Sequence, residues 1–363
     1  MELVLRRNAV SLFSGAGGMD IGFHDADVEI VWANDIDPDA CKTYETNISP
    51  KIHNGDLLDH LDSLSKFHGV DLVFGGPPCQ GFSVAGRMDP GDPRSQHIWS
   101  FKEAVKIIRP KAFVMENVKA LATLARWRHV RRELREEFRS LGYGVEIIVL
   151  KASDFGVPQV RERMFMLGVK GDFDVFDFEI LTNSFKHEAP TVREVLKELG
   201  VAGSQSNSRT VKAKVTLAKS PVLRKSPYAG MLFNGQGRPL NPEGQCSTLP
   251  ATMGGNRTPI IDENHLFLGK ESWVEKYHAH LLSGGSPYPS DSAPQCLRRL
   301  TVDEAIRLQT FPYDYDFVGR QSSIFRQIGN AVPCKLANAV ANAVVGYLDG
   351  NRANSDTLFQ SFG

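Results

Sequence analysis

A thiol, a carboxyl group and two guanidiniums are the side chains from which this sequence could build a covalent catalyst. The thiol is Cys79, in Gly75-Gly76-Pro77-Pro78-Cys79-Gln80-Gly81-Phe82-Ser83. An apolar run from Val70 to Phe74, broken only by Asp71, leads into it and reads as a buried parallel strand. Glycines and prolines then stop the strand in a stiff turn. Cys79 is therefore offered at the carboxyl end of a strand, where open α/β sheets hold their ligands. As a thiolate it would be a nucleophile. A buried structural cysteine is the alternative; the polar Gln80 and the glycines after it favour presentation. Glu116, in Glu116-Asn117-Val118, follows a second apolar strand, Ala112 to Met115. Burial at such a strand end can raise a carboxyl pKa and make it an acid, although a helix-capping role would use the same residue. Arg161 and Arg163, in Gln159-Val160-Arg161-Glu162-Arg163, alternate and so point to one face of an extended chain. There they could hold a carboxylate and a carbonyl oxygen.

These residues need a frame, and the first 170 residues supply one by alternating strand and helix patterns. Val10 to Phe13 runs into Ser14-Gly15-Ala16-Gly17-Gly18, followed by a helical stretch with apolar Met19, Ile21 and Phe23. Strand, glycine turn and helix open a nucleotide-binding unit of Rossmann type. The spacing is G-x-G-G, which does not indicate a dinucleotide. A second strand ends at Asn34-Asp35, about 20 residues on, where an acid can accept from ribose hydroxyls; a helix N-cap or turn is the alternative for Asp35. Asp56-Leu57 repeats the pattern and could hold an adenine amino group. Further strands are expected at Val145–Leu150 and Met164–Val169, and a charged helix at Arg126–Arg139 reads as a solvated face.

Composition limits the classes of protein open to this chain. Lys plus Arg and Asp plus Glu are both 42 in 363 residues, so net charge points to no partner. The five cysteines are odd in number and never spaced as CxxC, which argues against a disulfide framework or a zinc site and fits a reducing cytoplasm. No signal-peptide pattern and no apolar run near the roughly 20 residues of a membrane span is apparent. Beyond residue 180 the alternation gives way to irregular sequence rich in Gly, Pro, Ser and Asn, marking a second domain. Residues 186–260 hold eleven Lys or Arg against four Glu, a local basic segment hidden in the balanced whole. Gly235-Gln236-Gly237-Arg238 and Gly254-Gly255-Asn256-Arg257 put polar side chains on glycine loops, a format suited to base edges. Between residues 81 and 99, a glycine-hinged loop with Arg87 and Arg94 reads as a lid able to grip phosphates. Thr301 with Glu304 forms a capping box ahead of a helix that stops at Pro312.

Pro-Cys-Gln-Gly-Phe-Ser, Glu-Asn-Val, Gln-x-Arg-x-Arg, the glycine turn and Gln327-Ile328-Gly329-Asn330-Ala331-Val332-Pro333 together resemble the motifs of the DNA (cytosine-5) methyltransferases, in family order from residue 13 to 337. The resemblance implies an α/β, Rossmann-like S-adenosylmethionine-dependent methyltransferase domain (1–180 and 320–363) with a smaller irregular target-recognition domain and hinge (181–319). Its cofactor would be held by Phe13, Ser14, Gly15, Ala16, Gly17, Gly18, Asp35, Ile36, Asp56, Leu57, Pro78, Asn330 and Val332, with no metal. The resemblance makes Cys79 the nucleophile at cytosine C6, Glu116 the partner of N3, Arg163 the ligand of the O2 carbonyl and Arg161 the residue orienting Glu116. A base inside a duplex cannot present C6 to a thiolate, so the target must be flipped out. DNA contacts fall to Gln80, Ser83, Arg87, Arg94, Arg238, Thr248, Leu249 and Arg257, with Thr248-Leu249 matching the pair that marks the recognition domain. His97 stands where the family pattern leads one to expect an aliphatic residue near the cofactor. The partner is double-stranded DNA. The expected setting is a monomer in a bacterial or archaeal cytoplasm, serving beside a restriction endonuclease without forming a complex with it. The rival readings are a transfer-RNA cytosine-5 methyltransferase of the same fold and a catalytically silent DNA-binding protein.

Overall fold

In the computed structural model, residues 6–78, 96–171 and 175–350 are described. Cys79, Gln80, Ser83, Arg87 and Arg94 lie outside them, as does the expected lid. The chain divides into two units: residues 1–155, 162–187 and 332–363, and residues 156–161 with 188–331.

The first unit is a seven-stranded sheet between helices. Its elements are β1 (Arg7–Leu12), α1 (Gly18–His24), β2 (Val28–Asp35), α2 (Pro38–Asn47), β3 (Ile52–Asn54), β4 (Leu72–Gly75), α3 (His97–Ile108), β5 (Ala112–Val118), α4 (Lys119–Thr123), α5 (Arg128–Ser140), β6 (Tyr143–Lys151), β7 (Glu162–Lys170) and α6 (Val175–Asn183). A 3-10 stretch, Leu57–Phe67, joins β3 to β4. Spatial order is β3-β2-β1-β4-β5-β7-β6. The pairs β1–β2, β1–β4, β2–β3 and β4–β5 are parallel, whereas β7 runs antiparallel to both its neighbours. Strands buried on both faces need continuous apolar sequence, and β4 and most of β5 have it: all of Leu72–Gly75 and Ala112–Asn117 is buried. One face packs Val10, Val73, Phe113 and Met115 against Phe101 and Ile108 of α3 and Leu134 and Phe138 of α5. Those last two come from the apolar stripe of the helix whose other faces carry the charges.

Register aligns the strand ends. Leu12 pairs with Gly75 and Asn34, Asp35 with Asn54, and Gly75 with Met115. The turns after β1, β2, β3, β4 and β5 therefore share one edge, the ligand edge of such a sheet. Helix α1 is held from behind by the closing helix, Cys334–Leu348. Asn338 Nδ2 donates to Gly22 O at 3.1 Å, and a Cβ on Gly22 would lie 2.4 Å from Asn338 N.

The second unit is built from short elements: α7 (Val192–Leu199), β8 (Leu217–Val222), β9 (Met231–Phe233), β10 (Ile260–Asp262), α8 (Glu263–Leu268), α9 (Trp273–Leu282), β11 (Leu297–Arg299), α10 (Val302–Leu308) and α11 (Gln321–Asn330). Two antiparallel pairs, β8–β9 and β10–β11, surround a small core of Leu217, Phe233, Ile260, Val274 and Tyr277. The capping box at α10 is present in full, and Glu304, fully buried, also takes Arg298 in two bonds of 2.8 and 2.6 Å.

The two compact units divide at 187/188 and 331/332, where the sequence suggested 180/181 and 319/320. Helix α6 still packs on the closing helix of the first unit, while Gly329 is tied to the second unit, where its Cβ would sit 2.5 Å from Pro250 O. Residues 156–161 also leave the sheet unit for the second. Finally, Gln321–Leu348 is apolar and long enough by composition to match a membrane span, but Pro333 interrupts it and more than half of it is buried as core.

Overpacking a tight helix contact costs about 1–3 kcal/mol. Gly22→Ala should lower the unfolding free energy from urea titration by an amount in that range; an unchanged value would mean the α1 contact has room to spare.

Candidate active site

The glycine turn after β1 is shaped by its backbone. Phe13 adopts φ 54°, Gly15 55° and Gly17 80°. A left-handed non-glycine residue costs on the order of 1–3 kcal/mol and persists only where its surroundings hold it. Here Ser14 N donates to Asn34 O at 2.9 Å, and Gly17 N to Ser14 O at 3.0 Å. Among the described residues, a Cβ on Gly15 would meet nothing within 4 Å, so they leave an open ledge at this turn. Asp35 borders it: Oδ2 accepts from Gly15 N at 2.7 Å and Oδ1 from Asp37 N at 2.8 Å. A carboxylate has about four acceptor positions, so both oxygens retain capacity for ribose hydroxyls. Burial raises the Asp35 pKa, and those two N–H bonds oppose the rise. The helix N-cap at this point is Asp37 rather than Asp35.

The neighbouring candidates divide by exposure. Ile36 is 61% exposed, an apolar surface at the ledge's rim. Leu57 is buried in the core, leaving only its backbone for a ligand, and the exposed side chain beside it is Leu58. Asp56 caps the 3-10 stretch through Leu58 N at 3.0 Å. Asn34 bonds the carbonyls of His53 and Gly55 and so fixes the β3 end next to β2. His97 packs edge-on to Phe13, with ring centroids 5.7 Å apart, and its buried Nδ1 finds no hydrogen-bond partner among the described residues. Pro78 is half-buried, Val332 buried and Asn330 exposed at the end of α11. An open glycine ledge, an acid with spare acceptors and an exposed apolar rim fit the ribose and adenine of S-adenosylmethionine.

Beneath the ledge lies a carboxyl group that sequence inspection missed. Asp20, in the first turn of α1, is fully buried and accepts from Tyr44 Oη at 2.9 Å. Burial pushes its pKa up to about 7, against the lowering effect of the Ser11 and Tyr44 hydroxyls. The only signal for it was an acid inside an apolar helix repeat.

The chemistry-bearing strand ends meet at Gly76. Its Cβ position lies 3.0 Å from Glu116 Oε2. Asn117 Nδ2 donates to Pro77 O at 3.1 Å. Glu116 and Asn117 thus brace the turn that leads into Cys79. Arg163 Nε stands 2.8 Å from Glu116 Oε1, with both side chains largely buried. Arg163 pairs across from Val118 and Phe165 across from Glu116, so the two charged residues are diagonal neighbours on one face. Arg161 does something else. It precedes β7, belongs to the second unit, is 1% exposed, and donates to Leu249 O at 3.1 Å and Gly329 O at 3.0 Å. Strand geometry begins only at Glu162, and Arg163 is the arginine seen to pair with Glu116.

In the second unit, Gln159 joins the same brace. It accepts from Leu249 N at 3.1 Å and donates to Gln309 Oε1 at 2.7 Å. Thr248 is consequently held exposed on a fixed backbone while Leu249 is buried. Arg238 and Arg257 are both exposed, and Arg238 donates to Ala229 O of its own unit. Among the described residues, no group of three or more His, Cys, Asp or Glu could hold a metal.

The sheet order with its reversed seventh strand, the ledge after β1 and the acids at the ends of β2 and β3 define a Rossmann-like methyltransferase. The sequence profile of the C-5 cytosine-specific DNA methylases matches residues 7–346, and the chain belongs to that family as a DNA (cytosine-5) methyltransferase. It is 33% identical over 361 residues to the Type II methyltransferase M.NgoFVII of Neisseria gonorrhoeae, covering 96% of this chain and 88% of that one. To M.HgiDI of Herpetosiphon aurantiacus it is 32% identical over 360 residues, covering 97% and 99%. Among solved structures, the S. pombe Dnmt2 methyltransferase superposes with a TM-score of 0.66 at 19% identity, covering 95% of this chain and 100% of that chain. EhMeth of Entamoeba histolytica gives 0.63 at 16%, covering 94% and 99%. These two share the fold.

Two outcomes follow. Losing a charged hydrogen-bond partner costs about 1.5–3 kcal/mol, so Asp35→Ala should weaken S-adenosylmethionine binding at least tenfold in calorimetry. Unchanged affinity in the folded variant would remove Asp35 from the site. For Asp20, the folded pKa of about 7 exceeds the ordinary 3.8. Across that interval the fold holds a proton that the unfolded chain has released, so the Asp20 contribution to stability falls as pH rises. About three pH units at roughly 1.36 kcal/mol each amount to a loss on the order of 4 kcal/mol. Asp20→Asn should therefore gain on the parent protein in urea midpoint between about pH 4 and pH 8. Parallel pH profiles would assign that titration elsewhere.

Proposed function

We propose that this chain methylates cytosine within a specific duplex DNA sequence through a covalent bond from Cys79 to C6 of a flipped base. The observation that carries the mechanism is the convergence of Gly76-Pro77, Glu116-Asn117 and Arg163 at adjoining strand ends. When bound, S-adenosylmethionine supplies an electrophilic methyl group on a sulfonium. The C5 carbon of cytosine is a poor nucleophile and must be activated first. Addition of the Cys79 thiolate to C6 makes C5 enamine-like, and Glu116 supports the addition by hydrogen bonding at N3. Arg163 fixes Glu116 Oε1 and would bind the pyrimidine O2 in this reading. After the methyl group has passed to C5, loss of the C5 proton restores the double bond as the thiolate leaves C6. Asp35, the Gly15 ledge, Ile36 and Asp56 hold the cofactor in this reading.

The division of labour follows the two units. The sheet unit serves cofactor and ring chemistry, and the second unit, with its basic segment and glycine loops, selects the DNA sequence. Arg161 and Gln159 then act as positioning residues for Thr248-Leu249, which would support the DNA backbone beside the flipped base. The Type II relatives suggest the modification half of a restriction-modification pair, in a bacterial or archaeal cytoplasm, working as a monomer alongside a separate nuclease.

A duplex carrying 5-fluorocytosine at the target cannot lose a C5 proton. The protein should remain bound to it through denaturing electrophoresis, and Cys79→Ala should not. Trapping by Cys79→Ala would move the nucleophile elsewhere; trapping on transfer RNA but not on DNA would change the substrate.

A further inference from the structure

The two glycine loops of the second unit are one physical object. Gly237 N donates to Asn256 O at 3.0 Å. A Cβ on Gly235 would lie 2.3 Å from Asn256 O, and one on Gly237 would lie 1.9 Å from Thr258 O. Such separations admit only glycine, so backbone lies directly on backbone. Behind the contact sits Arg299, the last residue of β11, with 1% of its surface exposed. It donates through Nη1 to Thr258 O at 2.9 Å and through Nη2 to Asn234 O at 3.2 Å, one carbonyl from each loop's base. Asn234 is itself fastened by its side chain to Thr216 Oγ1, Leu217 O and Ser290 Oγ.

Arg299 is an uncommon buried cation. It forms no ion pair among the described residues, its Nε has no hydrogen-bond partner, and burial brings its pKa down to about 10. A charge kept from water without a carboxylate is costly, and an apolar residue of similar length would fill the space. What only a planar fork supplies is two fixed donors spanning two carbonyls. On the outer side of the clamped loops, Gln236, Asn256 and Arg257 are exposed together.

We propose that Arg299 is a specificity-positioning residue: by bridging Asn234 O and Thr258 O it locks the 235–238 and 254–257 loops into a single rigid tip that reads the DNA sequence. The proposal rests on the assignment of sequence choice to the second unit. A pair of loose loops could adapt to neighbouring sequences, whereas a fused tip presents its donors in one geometry and rejects a wrong base by leaving them unpaired.

The test is bisulfite sequencing of chromosomal DNA from cells expressing the parent protein, Arg299→Met, Arg299→Lys, Gly237→Ala or Arg257→Ala. The measured quantity is the ratio of methylation at sites differing by one base to methylation at the parent site. Arg299→Met should raise that ratio at least tenfold, and Arg299→Lys should do the same, because one ammonium lacks the fork. A merely structural arginine would lower total methylation and leave the ratio fixed, and that result overturns the proposal. Full recovery by lysine also overturns it, since charge would then suffice. Should Arg299→Met fail to fold, Gly237→Ala, which pries the loops apart and leaves Arg299 in place, must raise the ratio on its own; an unchanged ratio refutes the clamp. Arg257→Ala separates the two levels. If it relaxes one position while both loop-opening variants do not, the clamp falls and the assignment of sequence choice stands. If none of them moves the ratio, both fall.

Discussion

The Arg163–Glu116 pair depends on one reversed strand. In a fully parallel sheet, the beginning of β7 would lie at the edge opposite the ligands. Because β7 runs against β5, its first residues arrive beside the last residues of β5, and Arg163 reaches Glu116 at 2.8 Å. Everything else at that edge is aligned by parallel register, from the ledge after β1 to the turn after β4. The reversal adds a cation to an edge that otherwise offers turns and acids, and it does so from a rigid strand instead of a loop.

The same edge shows how little of the site is built by the chemistry-bearing residues alone. Gly15 and Asp35 fix each other, Asn34 ties β2 to β3, and Asn117 holds Pro77. Each bond satisfies a backbone group at a strand end, where sheet pairing has run out. Neutral side chains and glycines thereby set the positions at which charged ones can act.

Much of this was legible in the sequence because strand ends announce themselves. Apolar runs of four to eight residues followed by Gly, Asn-Asp or Gly-Pro gave β1, β2, β4 and β5 together with Asp35 and Glu116. The Thr301–Glu304 box was readable because it is local. What failed was long-range. Alternation in Gln159–Arg163 did not reveal that the chain enters β7 only at Glu162, or that Arg161 also donates to the backbone of Leu249. Arg299 and Asp20 carried no spacing signal, since their partners come from distant segments: the Asn234 and Thr258 carbonyls for one, the Tyr44 hydroxyl for the other. Composition also marked the end of the sheet near residue 180 but could not show that α6 still docks behind it.

The chain leaves the sheet unit for only six residues, Gly156–Arg161, before returning to it at Glu162. That short excursion bears on inheritance. Gln159 and Arg161 grip Leu249 through its N–H and C=O, not through its side chain, so the grip is indifferent to which residues surround it in the proposed recognition segment. A lineage could therefore acquire a different recognition segment by recombination, keep the six-residue socket unchanged, and still have the new segment seated. Rapid turnover of target sequence and slow change of the catalytic half would follow from the same small piece of backbone.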